Sequence, residues 1–154
     1  EISENAQDFI DFILSAEGQA VVEDAGYIAT VADAAAYTGS KPAGKVVVGG
    51  SSSVTPLMEK LKEAYVAINP DAEIEIQQSD SSTGMTSTVE GILEIGMASR
   101  ELKDSELEAG LTPIVIANDG IAVIGNLENT IEGLASEQVK GIYTGEITSW
   151  AGLE

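Results

Sequence analysis

At 154 residues the chain has room for one domain with a real hydrophobic core and too little length for two large lobes. Its 26 acidic against 7 basic residues give a formal net charge of −19, which repels a nucleic-acid backbone and excludes that class of partner. Cysteine and histidine are both absent, which removes thiolate chemistry, disulfides, imidazole bases and most zinc, copper or haem ligation.

The opening residues 3–14 place Ala6, Phe9, Ile10 and Ile13 at helical spacing behind Ser3 as a cap. Ser15 then caps a second helix that Gly26 ends. Residues 31–44 turn rich in Ala, Gly, Ser and Pro with no periodic apolar face, and read as a linker. From Lys45 onward short apolar runs alternate with amphipathic stretches, the pattern of an α/β fold with a mainly parallel open sheet flanked by helices. Strands are predicted at 46–48, 73–76, 95–98 and 113–117, with a further one at 121–124 after the turn at Asp119 and Gly120. Helices are predicted at 56–68, 85–93, 105–109 and 136–143. No run approaches the roughly 18 to 20 apolar residues that cross a bilayer, and no basic-then-apolar leader precedes Ser3. The expectation is a soluble chain from which any export signal has been left out.

Three hydroxyl-rich loops are candidates for chemistry. The first, GGSSSVTP from Gly49 to Pro56, sits where a strand ends and a helix begins, so that glycine, hydroxyls and exposed N–H groups all suit an anion. An ordinary serine-capped turn explains the same residues. The second, SDSSTG from Ser79 to Gly84, emerges at the same carboxyl edge, where open α/β sheets gather ligands; taken alone, Ser82 reads as an N-cap. The third is Ser99 with Arg100, whose guanidinium can grip an oxyanion bidentately or pair with Glu101 or Asp104. The carboxylates are scattered and lack calcium-loop spacing, the P-loop ending is missing, and a serine hydrolase would lack its base and its Gly-x-Ser-x-Gly elbow. No catalytic constellation emerges, and no cofactor is implied.

At GGSSSVTPLMEKLKEAY, SDSSTGMTSTVEGILEIGMASRELK, NDGIAVIGN and SEQVKGIYTGEITSW the sequence resembles the phosphate-binding proteins of ABC transporters, which have a two-lobed type II periplasmic-binding fold. The resemblance implies phosphate ligation by Ser53, the Val54 N–H, Thr55, Ser82, Thr83 and Ser99, with Arg100 beside them. Some relatives carry an aspartate after the third strand to accept the proton of hydrogen phosphate; this chain has Ser99 followed by Arg100.

The segment SENAQDFIDFILSAEGQAVVEDAGYIAT resembles that family's C-terminal helices, here placed first, while AAYTGSKPAGKVVVGG resembles a mature N-terminus. The resemblance therefore implies a single lobe spanning 1–154, with permuted C-terminal helices at 1–30, a linker at 31–44 and the core plus the start of the crossover at 45–154. It implies a non-catalytic half-site that binds inorganic phosphate weakly, from an extracellular or periplasmic parent that docks on a membrane permease. Two other readings are an engineered lobe without useful affinity and a phosphoryl-transfer or receiver-like domain; the second needs an acidic, metal-holding pocket where this chain has hydroxyls. With the strand returning from the second lobe missing, the sheet is expected to have a vacant position, and residues 121–124 either to fold back into their own sheet or to reach a neighbouring copy, with strand exchange or edge pairing into a homodimer favoured over a plain monomer.

Overall fold

The structure, a computed structural model, describes residues 2–151 and 153. It divides into two compact units, Glu1–Gly120 and Ile121–Glu154.

The first unit begins with α1 (Glu4–Leu14) and α2 (Ala16–Asp24). The Ser3 hydroxyl accepts from the Ala6 amide, 3.1 Å away, and so caps α1 as its sequence position suggests. Ser15 serves both helices: its hydroxyl donates to the Phe12 carbonyl at 2.6 Å and accepts from the Gly18 amide at 3.3 Å. That single residue turns the chain between the two.

Next come β1 (Gly44–Ser51), α3 (Thr55–Ile68), β2 (Ala72–Ser79), α4 (Ser81–Val89), β3 (Ile95–Met97) and α5 (Asp104–Glu108). The three strands are parallel and lie in the order β2-β1-β3. The connections through α3 and α4 run in opposite directions across this sheet, so right-handed crossovers put the two helices on opposite faces. Parallel strands also bring the loops that follow β1, β2 and β3 to one edge.

The core joins the opening helices to the sheet. Ala6, Phe9, Phe12 and Ile13 of α1 and Val22 of α2 are buried with Leu57, Met58, Leu61 and Tyr65 of α3 and with Val46, Val48, Ile74 and Met97 of the strands. The i, i+3, i+4 spacing in α1 and α3 puts each set on one helix face. Aromatic rings interlock there, with Phe9–Tyr65 and Phe12–Tyr65 centroids 5.0 and 5.4 Å apart.

Residues 31–44 hold no helix, and no strand before Gly44, yet they are tied down along their length. The Ala16 amide donates to the Ala35 carbonyl at 2.8 Å, the Tyr37 amide to Glu17 Oε2 at 2.8 Å, and Asn69 Nδ2 to the Pro42 carbonyl at 3.0 Å. The anchor with the most partners is Asp8, only 5% exposed. Its carboxylate accepts from the Tyr37 hydroxyl, from the Tyr65 hydroxyl at 2.7 Å and from the Ser40 amide at 2.9 Å. A buried carboxylate with three donors is satisfied where an unpaired one is costly.

Two predicted strands are absent. Residues 113–117 form no ladder; the nearest pairing is an isolated antiparallel bridge between Ile28 and Asn118. The reason lies in where their carbonyls go: Gln19 Nε2 donates to Ile116 O at 3.2 Å and Thr30 Oγ1 to Val115 O at 3.1 Å. Residues 121–124, expected to pair or to exchange, are also not a strand. Ile121 and Ile124 are 93% and 89% exposed, and this short apolar run finds no partner strand among the described residues.

The second unit contains α6 (Ser136–Thr144). The Ala135 amide donates to Gln138 Oε1 at 2.7 Å at its start, and the Ile147 amide returns to the Gly141 carbonyl at 2.9 Å past its end. Among the described residues, no helix is long and apolar enough to cross a membrane.

Candidate functional site

The carboxyl edge of the sheet gathers all three hydroxyl loops. After β1 the chain turns through Ser52, Ser53 and Val54 into α3, with Pro56 in the first turn where its missing N–H costs nothing. Ser52 N donates to Ser79 O at 3.1 Å, extending the β1–β2 pairing into the loop. Val54 N and Thr55 Oγ1 both donate to the Ser51 carbonyl at 3.1 Å. Two of the expected phosphate donors are thus engaged in shaping the turn. Among the described residues, the amides of Ser53 and Thr55 have no hydrogen-bond partner. They stand at the N-terminus of a 14-residue helix, whose dipole adds positive potential.

The second loop differs from its expected form. The N-cap of α4 is Asp80, not Ser82, and the helix starts at Ser81 rather than Met85. One Asp80 oxygen accepts from the Ser82 and Thr83 amides at 2.9 and 3.0 Å, and the other accepts from the Thr83 hydroxyl at 2.6 Å. The carboxyl is held below the usual carboxylate range, first by the Thr83 hydroxyl and then by the Thr83 amide. Asp80 therefore occupies part of the anion-attracting end of α4 itself, and Thr83 faces it. What this loop leaves outward are the Ser81 and Ser82 hydroxyls.

Ser99 follows β3 and joins the loops. Its hydroxyl lies 3.0 Å from that of Ser51, which is 3% exposed, and 3.5 Å from that of Ser81, while its amide donates to Ser81 Oγ at 3.2 Å. Close approach of α4 to β1 makes this convergence possible. A Cβ on Gly84 would lie 2.6 Å from Gly50 Cα, and Gly50 takes φ +134° with the Met97 carbonyl where its own Cβ would stand.

Arg100 pairs with neither Glu101's carboxylate nor Asp104. It forms a fork with Glu106 of α5, with NH1–Oε2 at 2.9 Å and NH2–Oε1 at 2.8 Å. NH1 also donates to the Glu101 carbonyl at 2.8 Å, and NH2 to Ser82 Oγ at 3.2 Å. The Glu106 carboxylate accepts the Lys103 amide too, at 2.8 Å. Arg100 and then that amide hold Glu106 down to about 2.

The structure thus brings Ser53, Val54, Thr55, Ser82, Thr83, Ser99 and Arg100 to one sheet edge. It adds Ser51, Asp80 and Ser81, which belong to the candidate loops but were given no ligand role there, and Glu106 from outside them. The signal for Asp80 was its place one residue after a strand and before a helix, where Asp caps well; Glu106 left the weaker signal of a carboxylate three residues after Lys103. The arrangement gathers amide and hydroxyl donors along one edge, a donor set suited to an oxyanion. Among the described residues, no group of acidic side chains is placed to hold a metal ion.

Residues 35–152 match the model of a PBP superfamily domain. Over 150 residues the chain is 55% identical to the phosphate-binding protein PstS 2 of Streptococcus agalactiae, an alignment that covers 97% of this chain and 51% of that protein. A crystal structure of a phosphate-binding protein of a phosphate ABC transporter from Streptococcus pneumoniae superposes with a TM-score of 0.88 at 40% identity, covering 99% of this chain and 59% of that one. A putative phosphate ABC transporter substrate-binding protein with bound phosphate from Clostridium perfringens gives 0.54 at 47% identity, over 70% of this chain and 44% of that one. The chain spans about half the length of the curated relatives it matches.

Proposed function

The chain belongs to the PBP superfamily, and from that premise we propose that it supplies one half of a phosphate site in a solute-binding protein serving an ABC transporter, without catalysing a reaction. The observation that carries this reading is the sheet edge where the unpartnered Ser53 and Thr55 amides meet the Ser82 and Ser99 loops. Helix N-terminal amides and hydroxyls bind a tetrahedral oxyanion through contact-range hydrogen bonds. The net charge of −19 does not prevent this, because surface charge is screened over about 8 Å at physiological salt. The names of the streptococcal relatives point to the same ligand.

In this reading phosphate sits against the N-terminus of α3, with Ser53 giving its amide and its exposed hydroxyl, Thr55 its amide, Val54 shaping the turn, and Ser82 and Ser99 giving hydroxyls. Thr83 and Asp80 form the adjacent wall. The opposing wall belongs to the remainder of a longer protein that works outside the cell membrane, delivering phosphate to a permease. That the S. agalactiae match runs through 97% of the chain supports a further point: the order of opening helices before sheet core is one those relatives share, and needs no engineering.

Phosphate titration of this 154-residue chain, followed by amide NMR shifts with sulfate as control, tests the proposal. Losing the opposing donors, each worth roughly 1.5–3 kcal/mol if charge-assisted, moves affinity from micromolar or tighter toward millimolar. The double variant Ser53→Ala, Ser82→Ala abolishes the remaining shifts while leaving the fold intact. Submicromolar binding would overturn the half-site, and binding that survives the double variant would overturn the site.

A further inference from the structure

We propose that Arg100 is a positioning residue: clasped by Glu106, it acts on the anion only through Ser82, whose hydroxyl it turns into a dedicated donor. This rests on the phosphate site described above and assigns roles within it.

Donor counting carries the argument. A guanidinium has five N–H groups and no acceptor, four of them on its two terminal nitrogens. In this structure NH1 serves Glu106 Oε2 and the Glu101 carbonyl, and NH2 serves Glu106 Oε1 and Ser82 Oγ. Both forked nitrogens are fully committed. A grip on an oxyanion through NH1 and NH2 would break the pair with Glu106, and one through NH2 and the remaining Nε–H would displace Ser82, so no bidentate grip leaves this arrangement intact. That pair is well built, because the Glu106 carboxylate is itself fixed by the Lys103 amide at the start of α5.

The contact with Ser82 has a direction. Because the guanidinium only donates, Ser82 Oγ must accept from it, and the hydroxyl's own proton has to point elsewhere. The same logic holds at Ser81, whose Oγ accepts from the Ser99 amide at 3.2 Å. The exposed Ser82 hydroxyl is thereby set as a donor before any anion arrives, while that of Ser81 faces Ser99 Oγ 3.5 Å away. Without Arg100, Ser82 could rotate to donate to a neighbouring acceptor or to water, and the anion would have to reorient it. Pre-setting it avoids that reorganisation. The Glu106 carboxylate also balances the arginine charge, so the wall offers oriented dipoles rather than a net cation.

A double-mutant cycle on phosphate affinity tests this, using the full chain, the amide shifts of Ser53 and Thr55, and the variants Arg100→Gln, Ser82→Ala and both together. Each single change weakens binding about three- to tenfold, the worth of one hydrogen bond, and the double variant binds no more weakly than Ser82→Ala alone. The salt dependence of the dissociation constant stays the same in the charge-balanced pair Arg100→Gln, Glu106→Gln as in the parent chain. Glu106→Gln, which keeps the size and one acceptor, is a second route to the same answer if Arg100→Gln loosens α5: its loss also vanishes in the Ser82→Ala background. Additive losses, or a flattened salt dependence in the charge-balanced pair, would show the arginine touching the anion and overturn the proposal. An unchanged affinity in Ser82→Ala would overturn it as well. Ser53→Ala then separates the two levels, since loss of binding there keeps the anion site and retention removes it.

Discussion

Replacing Asp8 by Ala removes the acceptor on which two phenols and one amide converge, and the loss can be worked from their surroundings. Tyr65 is 1% exposed; Asn69 only donates to it, and the Tyr37 hydroxyl is the other group left beside it. Its hydroxyl proton therefore exchanges a carboxylate acceptor for at best a neighbouring phenol, at a cost of about 1–3 kcal/mol. Tyr37 and Ser40 lie nearer the surface and recover part of their bonding from water, so together they add about 1–2 kcal/mol. The total is about 2–5 kcal/mol out of the roughly 5–15 that hold a domain of this size. Urea unfolding followed by far-UV circular dichroism should show the midpoint falling by about 2 M at unchanged slope. Asp8→Asn, which keeps one acceptor oxygen, should fall between. A loss below about 1 kcal/mol for Asp8→Ala would refute the claim that this carboxylate anchors the segment. The same cluster has a signature in alkali. Burial first, and the bond to Asp8 second, push the Tyr65 phenol up to about 12 from its ordinary 10.0. A raised acid pKa means that the folded state holds the proton longer than the unfolded one. The associated stability is complete below pH 10 and is lost as pH rises toward 12, and Tyr65→Phe should flatten that decline.

Other expectations are as direct. Gly84→Ala sets a Cβ 2.6 Å from Gly50 Cα and 3.0 Å from the Gly49 carbonyl, backbone atoms that cannot swing aside, so α4 must lift from the sheet. Thermal unfolding should show a loss of about 1–3 kcal/mol with shifted Ser81 and Ser82 amide resonances, and an unchanged midpoint would refute that close approach. Glu106 is depressed to about 2 from 4.5, so its contribution is complete above pH 4.5 and is lost as pH falls toward 2. Glu106→Gln should remove that part of the acid dependence, and an identical acid profile in the variant would count against the Arg100 clasp.

Much of the first unit was legible because its signals are local. Ser3 and Ser15 stand immediately before apolar-periodic runs, and both cap the helices expected of them. β1 and β3 coincide with short apolar runs and β2 with the alternating Ile74 and Ile76, and the parallel order puts their loops on one edge as the succession of strands and helices implied. What failed depended on choices between neighbours or on distant partners. SDSST contains several good caps, and Asp80 prevails because its carboxylate reaches two amides and a hydroxyl at once. The start of α4 was missed because Ser81–Gly84 has no apolar periodicity; the helix extends there so that Gly84 can meet Gly50. Arg100 had three acidic candidates within six residues, and only folding of α5 selects Glu106. The run at 113–117 has a strand's composition, but its carbonyls are claimed by Gln19 and Thr30, some ninety residues away in sequence.

The pinned strap between α2 and β1 bears on how this unit would respond to being cut. Residues 25–43 tether the opening helices to the sheet, and closing a loop of that length costs only about (3/2)RT ln n, near 2.6 kcal/mol. The interface it closes contains Phe9, Phe12 and Ile13 against Leu61 and Tyr65, apolar burial of about 1.5–3 kcal/mol per large side chain. The covalent link is therefore the smaller share of what keeps the helices in place. Protease cleavage at the exposed Ala32–Asp33 bond should leave two fragments that stay together as a nicked complex. Mixed as separate peptides, they should reassemble at micromolar concentration. Chain order in this fold is thus a matter of tethering, with the packing of α1 on α3 indifferent to which end of the polypeptide delivers it.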